Sequence, residues 1–221
     1  MNIAALVAVR KNSERCKNKM LRRFANKSLV SVSLDRLNQL QGFDAKYFAA
    51  HEEVFLKEAA CYPVTIIKRS YESANIDEPI NKIHEYLADI PEEYIMWINT
   101  CNVFLSIDTI NKAVNSFKNN GYKSMTSVVK NRNWFYTIDG IPVNNLDPIN
   151  VSTKTSPPLY EVVHAFHIFE RKYFLENSAY WHNKTNDPYL FEIPEEENID
   201  IDTELEFKYA EMIYIERNYR E

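Results

Sequence analysis

Glycine is scarce, with three residues in a chain of 221. That excludes collagen-like segments and Gly-rich linkers. It also removes the two commonest glycine loops for phosphate, since neither GxxxxGK[ST] nor GxGxxG occurs. Cysteine is equally sparse. Cys16, Cys61 and Cys101 lie far apart and form no CxxC or Cys/His zinc spacing. Their odd number suits a reducing compartment better than a disulfide scaffold. No apolar run approaches the ~20 residues that a membrane span requires. The run at 3–9 is short for a secretory leader and meets Arg10 instead of a small-residue cleavage site. The expectation is a soluble, cytoplasmic protein with no membrane partner.

Charge is present in both signs but unevenly placed. The net charge is −5, yet residues 10–23 carry seven cations against the single acid Glu14. That segment stands at +6 and the remainder at −11, with eight acids and no base between 192 and 206. An acidic body repels a nucleic-acid backbone, so no nucleic-acid partner is expected. A small basic loop on such a body suits a small anionic ligand.

Apolar spacing predicts an alternation of strands and helices. Residues 2–9 form a continuous apolar run of strand length, as in a strand covered on both faces. Further strands are predicted at 46–50, 64–68, 94–98, 124–130, 165–169 and 199–202. Helices are predicted at 28–40, 52–61, 78–87, 170–176, from Ser106 to a stop at Gly121, and from Glu204 onward. Residues 134–143 read as a hairpin, because Asp139-Gly140 is a two-residue turn signal. Such alternation implies one α/β domain over 1–221, a doubly wound, mostly parallel sheet with a late antiparallel hairpin.

Two segments carry chemistry. Ligands of open α/β sheets bind beyond the carboxyl ends of the strands, and the run Arg10-Lys-Asn12-Ser13-Glu-Arg15-Cys-Lys-Asn-Lys19 follows the first strand directly. Arg forks, Lys point charges and backbone amides there suit phosphates. A run of charge is also what a solvated surface loop looks like. The second segment is Asn198-Ile-Asp200-Ile-Asp202-Thr203. On a strand both aspartates face one way, with Cβ atoms roughly 6–7 Å apart. A bend or a bridging water would bring both into one Mg²⁺ shell, completed by substrate phosphates. Thr203 and Glu206 fit a helix capping box, which accounts for those two residues but not for the aspartates. Asn99, at the end of the 94–98 strand, is placed to be a base-reading amide or a turn residue. His164 and His167, three apart on a predicted strand, should face opposite sides and read as packing residues. His51, His84 and His182 have no partner evident in the sequence. Trp134, Phe135, Tyr136 and Tyr160 read as core or subunit interface.

Together these segments resemble the cytidylyltransferases that make CMP-activated sugar acids, CMP-N-acylneuraminate synthetase and CMP-Kdo synthetase. Residues 9–21 are similar to the opening pattern of that family, and Ile199-Asp-Ile-Asp202-Thr-Glu-Leu-Glu206 is similar to its Asp-Ile-Asp-Thr-Glu motif. The resemblance implies a three-layer nucleotide-diphospho-sugar-transferase-like fold. It implies CTP held by Arg10, Asn12, Ser13, Arg15 and Lys19, with Asn99 standing where the family usually has a Gln. It implies Mg²⁺ on Asp200 and Asp202, with Arg10, Lys19 and Asp202 acting in catalysis. The implied reaction activates an acidic 2-keto sugar for surface polysaccharide synthesis. The implied assembly is a homodimer through a projecting region at 134–160. The run Asn99-Thr-Cys-Asn-Val-Phe-Leu105 departs from the family, lacking its Arg and carrying Cys101 where one branch has Asp. Val163-His164 replaces the usual Asn-Gly. Two other readings fit the same motifs: a glycosyltransferase of related fold with Asp200-Ile-Asp202 as its metal motif, and a non-catalytic nucleotide-binding protein.

Overall fold

The computed structural model describes residues 1–147, 149 and 151–219. Its centre is β1, Ile3–Ala8. Alternate residues of β1 enter different layers. Ile3, Ala5 and Val7 join the larger apolar cluster, while Ala4 and Leu6 join the smaller one. A strand buried on both faces cannot alternate polar with apolar residues, which is why this segment reads as a continuous run.

Around β1 the chain builds a seven-stranded sheet in the order β3-β2-β1-β4-β6-β5-β7. The strands are β2 (Ala45–Ala50), β3 (Thr65–Lys68), β4 (Tyr94–Ile98), β5 (Met125–Asn131), β6 (Leu159–Glu170) and β7 (Tyr189–Glu192). The pairs β1–β2, β1–β4, β2–β3 and β5–β7 are parallel. Only β6 runs against its neighbours β4 and β5. One face is covered by α1 (Leu29–Gln39), α2 (Glu53–Ala59), α5 (Ile107–Asn120) and α7 (Glu204–Tyr219), whose apolar residues join the larger cluster. The other face is covered by the short α4 (Ile80–Ile83), a 3-10 turn at Glu85–Asp89 and α6 (Arg171–Asn177). The result is three layers, α/β/α, as expected. Ser28 and Ser106 cap α1 and α5 through their side chains, and Gly121 ends α5 with a left-handed φ of 64°.

Several expectations are corrected. The helix expected at 78–87 is broken into α4 and the 3-10 turn, and α3 (Tyr71–Asn75) precedes it. His84 sits at the break, fixed by the Tyr86 hydroxyl at 2.8 Å and the Tyr180 hydroxyl at 2.9 Å. The long-range bond to Tyr180, with the local one to Tyr86, overrides the helical apolar spacing. Residues 199–202 form no strand. Ile201 N–H donates to Cys101 O at 3.3 Å, and no ladder of such bonds forms among the described residues, so they follow the sheet end without joining it. The hairpin at 134–143 pairs only through the Tyr136–Pro142 bridge. Its turn is a three-residue loop closed by Thr137 N–H to Ile141 O, with Gly140 at φ 79°, instead of a two-residue Asp-Gly turn. Residues 148 and 150 of the expected 134–160 projection lie outside the described residues.

The two histidines of β6 meet instead of facing apart. His164 adopts φ 50°, and residues 163–166 of β6 stand opposite the single Ser127 of β5. This wide bulge swings the His164 ring onto the side of His167, with Nδ1 and Nε2 3.0 Å apart. His182 also has a partner, Asp187 at 2.6 Å, and His51 bonds the Arg69 carbonyl.

Candidate functional site

The cationic loop after β1 is pinned from below by apolar pegs. Cys16, Met20 and Phe24 are buried in the larger cluster. Asn18 takes the left-handed conformation that asparagine tolerates, and its carbonyl accepts from Leu21 and Arg22 N–H. The intervening cations are thereby held at the carboxyl end of β1 instead of drifting in solvent.

Lys19 is the deepest of them at 8% exposure. Its Nζ donates to the Ile201 carbonyl at 2.6 Å and to Asp202 Oδ1 at 3.1 Å. Burial opposes its charge, but the Cys101 sulfur and the Asp202 carboxylate more than restore it, leaving its pKa above the usual lysine value. Arg15 donates to the other Asp202 oxygen at 2.7 Å. One carboxylate thus gathers two cations from a segment more than 180 residues away in the chain. Arg10 reaches across the cleft to Asp77 at 2.6 Å and to Ile76 O at 3.1 Å, and Asn12 bonds Asn75.

Asp200 sits beside this pair. Burial, and then repulsion from Asp202, push its carboxyl up to about 6. Asn99 Nδ2 approaches its Oδ2 at 3.5 Å, while its Oδ1 is buried without a partner. A buried carboxylate oxygen with nothing to satisfy it fits a cation ligand. Among the described residues no group of three or more His, Cys, Asp or Glu is placed to hold a metal alone. A cation here would need ligand oxygens beyond the two aspartates, as Mg²⁺ with substrate phosphates provides. Asn99 Oδ1 accepts the Cys101 N–H at 2.9 Å, so the turn-residue reading of Asn99 holds, and its amide nitrogen also approaches Asp200.

A cleft of about 500 Å³ joins these groups, within the usual range for small-molecule sites. Arg10, Asn12, Ser13, Arg15, Lys19, Asn99 and Asp202 all line it, and Asp200 stands just behind through its contact with Asn99. Arg22 does not belong to it. It forms a fork with Glu204 at 2.6 and 2.7 Å and lies over the Phe207 ring, anchoring α7.

Two arginines escaped the sequence reading. Arg69, directly after β3, lines the cleft at 4% exposure and donates to Val9 O, Ser73 Oγ, Ser73 O and Ile83 O. Its position one residue past a strand end was the available signal. Arg36, on the buried face of α1, clamps the carbonyls of Asn99, Asn102 and Leu105. Burial brings its pKa down to about 10. A lone arginine amid Leu34 and Leu37 was the clue that something polar lay beneath it. The loop it holds also contains Thr100 Oγ1 and both side-chain polar atoms of Asn102, buried and unpartnered. No described helix is long and apolar enough to cross a membrane.

Comparison with known proteins gives a consistent picture. The family model for cytidylyltransferases matches residues 4–218. No curated protein sequence matches the chain. Among solved structures, CMP:2-keto-3-deoxy-manno-octonic acid synthetase complexed with CTP is similar at TM-score 0.72 and 10% identity, over 98% of this chain and 100% of that one. The 4-diphosphocytidyl-2C-methyl-D-erythritol synthase of Anaerococcus prevotii is similar at TM-score 0.67 and 14% identity, over 96% of each chain. The bifunctional IspDF of Campylobacter jejuni is similar at TM-score 0.65 and 12% identity, over 94% of this chain and 54% of that one. At these identities the structural likenesses speak for the fold.

Proposed function

The chain belongs to the cytidylyltransferase family, and on that premise we propose that it joins CMP from CTP to the hydroxyl of a sugar acid, releasing pyrophosphate. The observation that carries this reading is the meeting of Lys19 with Ile201 O and Asp202, which brings the basic first loop against the late acidic segment. The sugar acid as acceptor rests on the resemblance of both motifs to the CMP-sugar-acid branch and on the likeness to CMP:2-keto-3-deoxy-manno-octonic acid synthetase. The likeness to the methylerythritol enzyme makes a polyol phosphate the competing acceptor class.

In this reading the triphosphate lies along the loop. Arg10, Asn12, Ser13 and Arg15 meet its oxygens, with Arg10 and Arg15 exchanging carboxylate partners for phosphate. Lys19, already fixed and charged, faces the α-phosphate, where negative charge grows as the acceptor oxygen approaches. Because its ammonium is held by a backbone carbonyl, little reorganisation accompanies the reaction. The acceptor oxygen bonds the α-phosphorus, the bond to the bridging oxygen of the β-phosphate breaks, and pyrophosphate departs. Asp202 accepts the acceptor's proton. Asn99 orients the nucleotide from the end of β4. Asp200 and Asp202 are the residues to hold Mg²⁺, which when bound supplies positive charge against the phosphates. The product would serve a transferase building a surface polysaccharide.

A pyrophosphate-release screen tests this. It pairs each of the four NTPs and Mg²⁺ with a panel of 2-keto sugar acids and polyol phosphates. Release with CTP and a sugar acid is the expected result. Release only with a polyol phosphate would move the chain to the other acceptor class.

A further inference from the structure

The bulge in β6 presents a group that the nucleotide site leaves unused. His164 is exposed, yet it adopts φ 50° in the middle of a strand, a conformation that glycine takes freely and a ring-bearing residue seldom does. The bulge is firmly built. Ser127 Oγ accepts from the N–H groups of Ala165 at 3.0 Å and Phe166 at 3.1 Å, and it donates to Phe166 O at 3.2 Å. Its purpose is visible in what it brings together. His164 Nδ1 lies 3.0 Å from Nε2 of His167, a ring 1% exposed, whose Nδ1 is 2.8 Å from Thr126 Oγ1. His167 also lies flat against the Trp97 ring, 5.6 Å between centroids at 12°. Both nitrogens of His167 are therefore committed and its ring plane is fixed. That fixes the orientation of His164, as the outer partner of a buried imidazole orients it in many sites. Among the described residues nothing bonds His164 Nε2.

His164 does not itself line the nucleotide cleft, and its bulge lies beside it. Asn99 N–H donates to Ala165 O at 3.0 Å, so the bulge abuts the first residue past β4, at the carboxyl end of the sheet. The nucleotide cleft is lined by Arg69 just past β3, by Ala8, Val9 and Arg10 at the end of β1, and by Trp97 and Asn99 at the end of β4. In strand order β6 is the next step beyond β4, away from β1. Trp97 joins the two, since it lines the cleft and also stacks on His167.

Resting on the cytidylyl-transfer reading above, the geometry points to His164 as an acceptor-binding residue. Its Nε2 bonds an oxygen of the polar acceptor, and the His167–Thr126 pair positions it. With Nδ1 committed to His167, the ring presents Nε2 alone, and one imidazole nitrogen matches a hydroxyl or carboxylate oxygen on a sugar acid or polyol.

The test uses the full chain and the variants His164→Gly and His164→Asn. Glycine suits the left-handed backbone, so His164→Gly should melt no lower than the wild type. Its CTP affinity with Mg²⁺, read by calorimetry, should stay within about two-fold. Its KM for the acceptor that supports turnover in the screen should rise about ten-fold or more. Asparagine tolerates the backbone and keeps a polar tip, and it should recover part of that loss. An acceptor KM within two-fold of wild type overturns the assignment, as does an equal loss of CTP affinity. If the screen finds no acceptor, the sugar-acid reading fails, and His164 is judged by its modification with diethyl pyrocarbonate, read by peptide mass. Equal modification with and without CTP and Mg²⁺ supports a place outside the nucleotide site, and protection by CTP overturns it.

Discussion

His84 shows how a single residue near the site sets a property of the whole protein. Burial, and then the neighbouring Arg69, hold its pKa down to about 3, and His167 is likewise held to about 3 by burial and by His164 and His84. In the unfolded chain both would titrate near 6.5. Between about 3 and 6.5 the unfolded chain therefore binds more protons than the native protein. The stability contributed by these rings is complete above 6.5 and is lost as the pH falls through that window. Each contributes a slope of about 1.4 kcal/mol per pH unit. Asp200, raised to about 6, acts with the opposite sign between its ordinary carboxyl value and 6. Urea unfolding of wild type and His84→Gln at pH 7 and pH 5 separates them. The variant should lose about 2 kcal/mol less between the two values, and parallel losses would refute the neutral-ring account. At this scale the loop cations were legible, because they follow a buried strand in one unbroken run. Arg36 and Arg69 were not, because their partners are backbone carbonyls that only folding assembles.

Helix α7 illustrates what an element owes to its own sequence. Thr203 Oγ1 accepts from Glu206 N–H at 3.3 Å, and Glu206 Oε2 accepts from Thr203 N–H at 2.7 Å. It also accepts from Asp202 N–H at 2.9 Å, so the cap fixes the backbone that carries the acid pair. Thr203→Ala should cost about 1 kcal/mol in denaturant unfolding at an unchanged m value, and a cost below a few tenths would show that the cap is idle. This reciprocal box was readable from Thr-x-x-Glu alone. Other elements were not. The antiparallel insertion of β6 leaves no local mark, since strand order depends on which edges meet. The bulge at His164 was invisible because it is defined against Ser127 of another strand. The edge strand β7 was missed because its short run alternates weakly between half-buried and exposed residues. The α4 break was not legible because two of the groups that bond there, Tyr180 and Arg69, come from outside the expected helix, while only Tyr86 lies within it.

The whole molecule places its ligand cleft at the carboxyl ends of a doubly wound sheet and leaves a second feature on its flank. Around residues 134–160 many large apolar side chains face solvent, including Ile138, Ile141, Leu146 and Val151. Tyr136 and Tyr160 are also exposed, so of the two readings for these aromatics the interface suits them better than the core. Exposed apolar clusters often serve as contact surfaces, and we propose a second copy as the partner of this one. Sedimentation should give a dimer for wild type and a monomer for Ile138→Asp with Ile141→Asp, and a monomeric wild type would contradict this. On the proposed function, the glycine-poor basic loop and the acids at 200 and 202 are two halves of one CTP site. Pyrophosphate release by wild type and Lys19→Ala, measured side by side on CTP, Mg²⁺ and the acceptor, tests it most directly. Turnover should fall about 100- to 1,000-fold in a protein that still unfolds cooperatively, its stability lowered by about 1–3 kcal/mol through the lost bond to Ile201 O. Near-normal release by the Lys19→Ala protein would contradict the account.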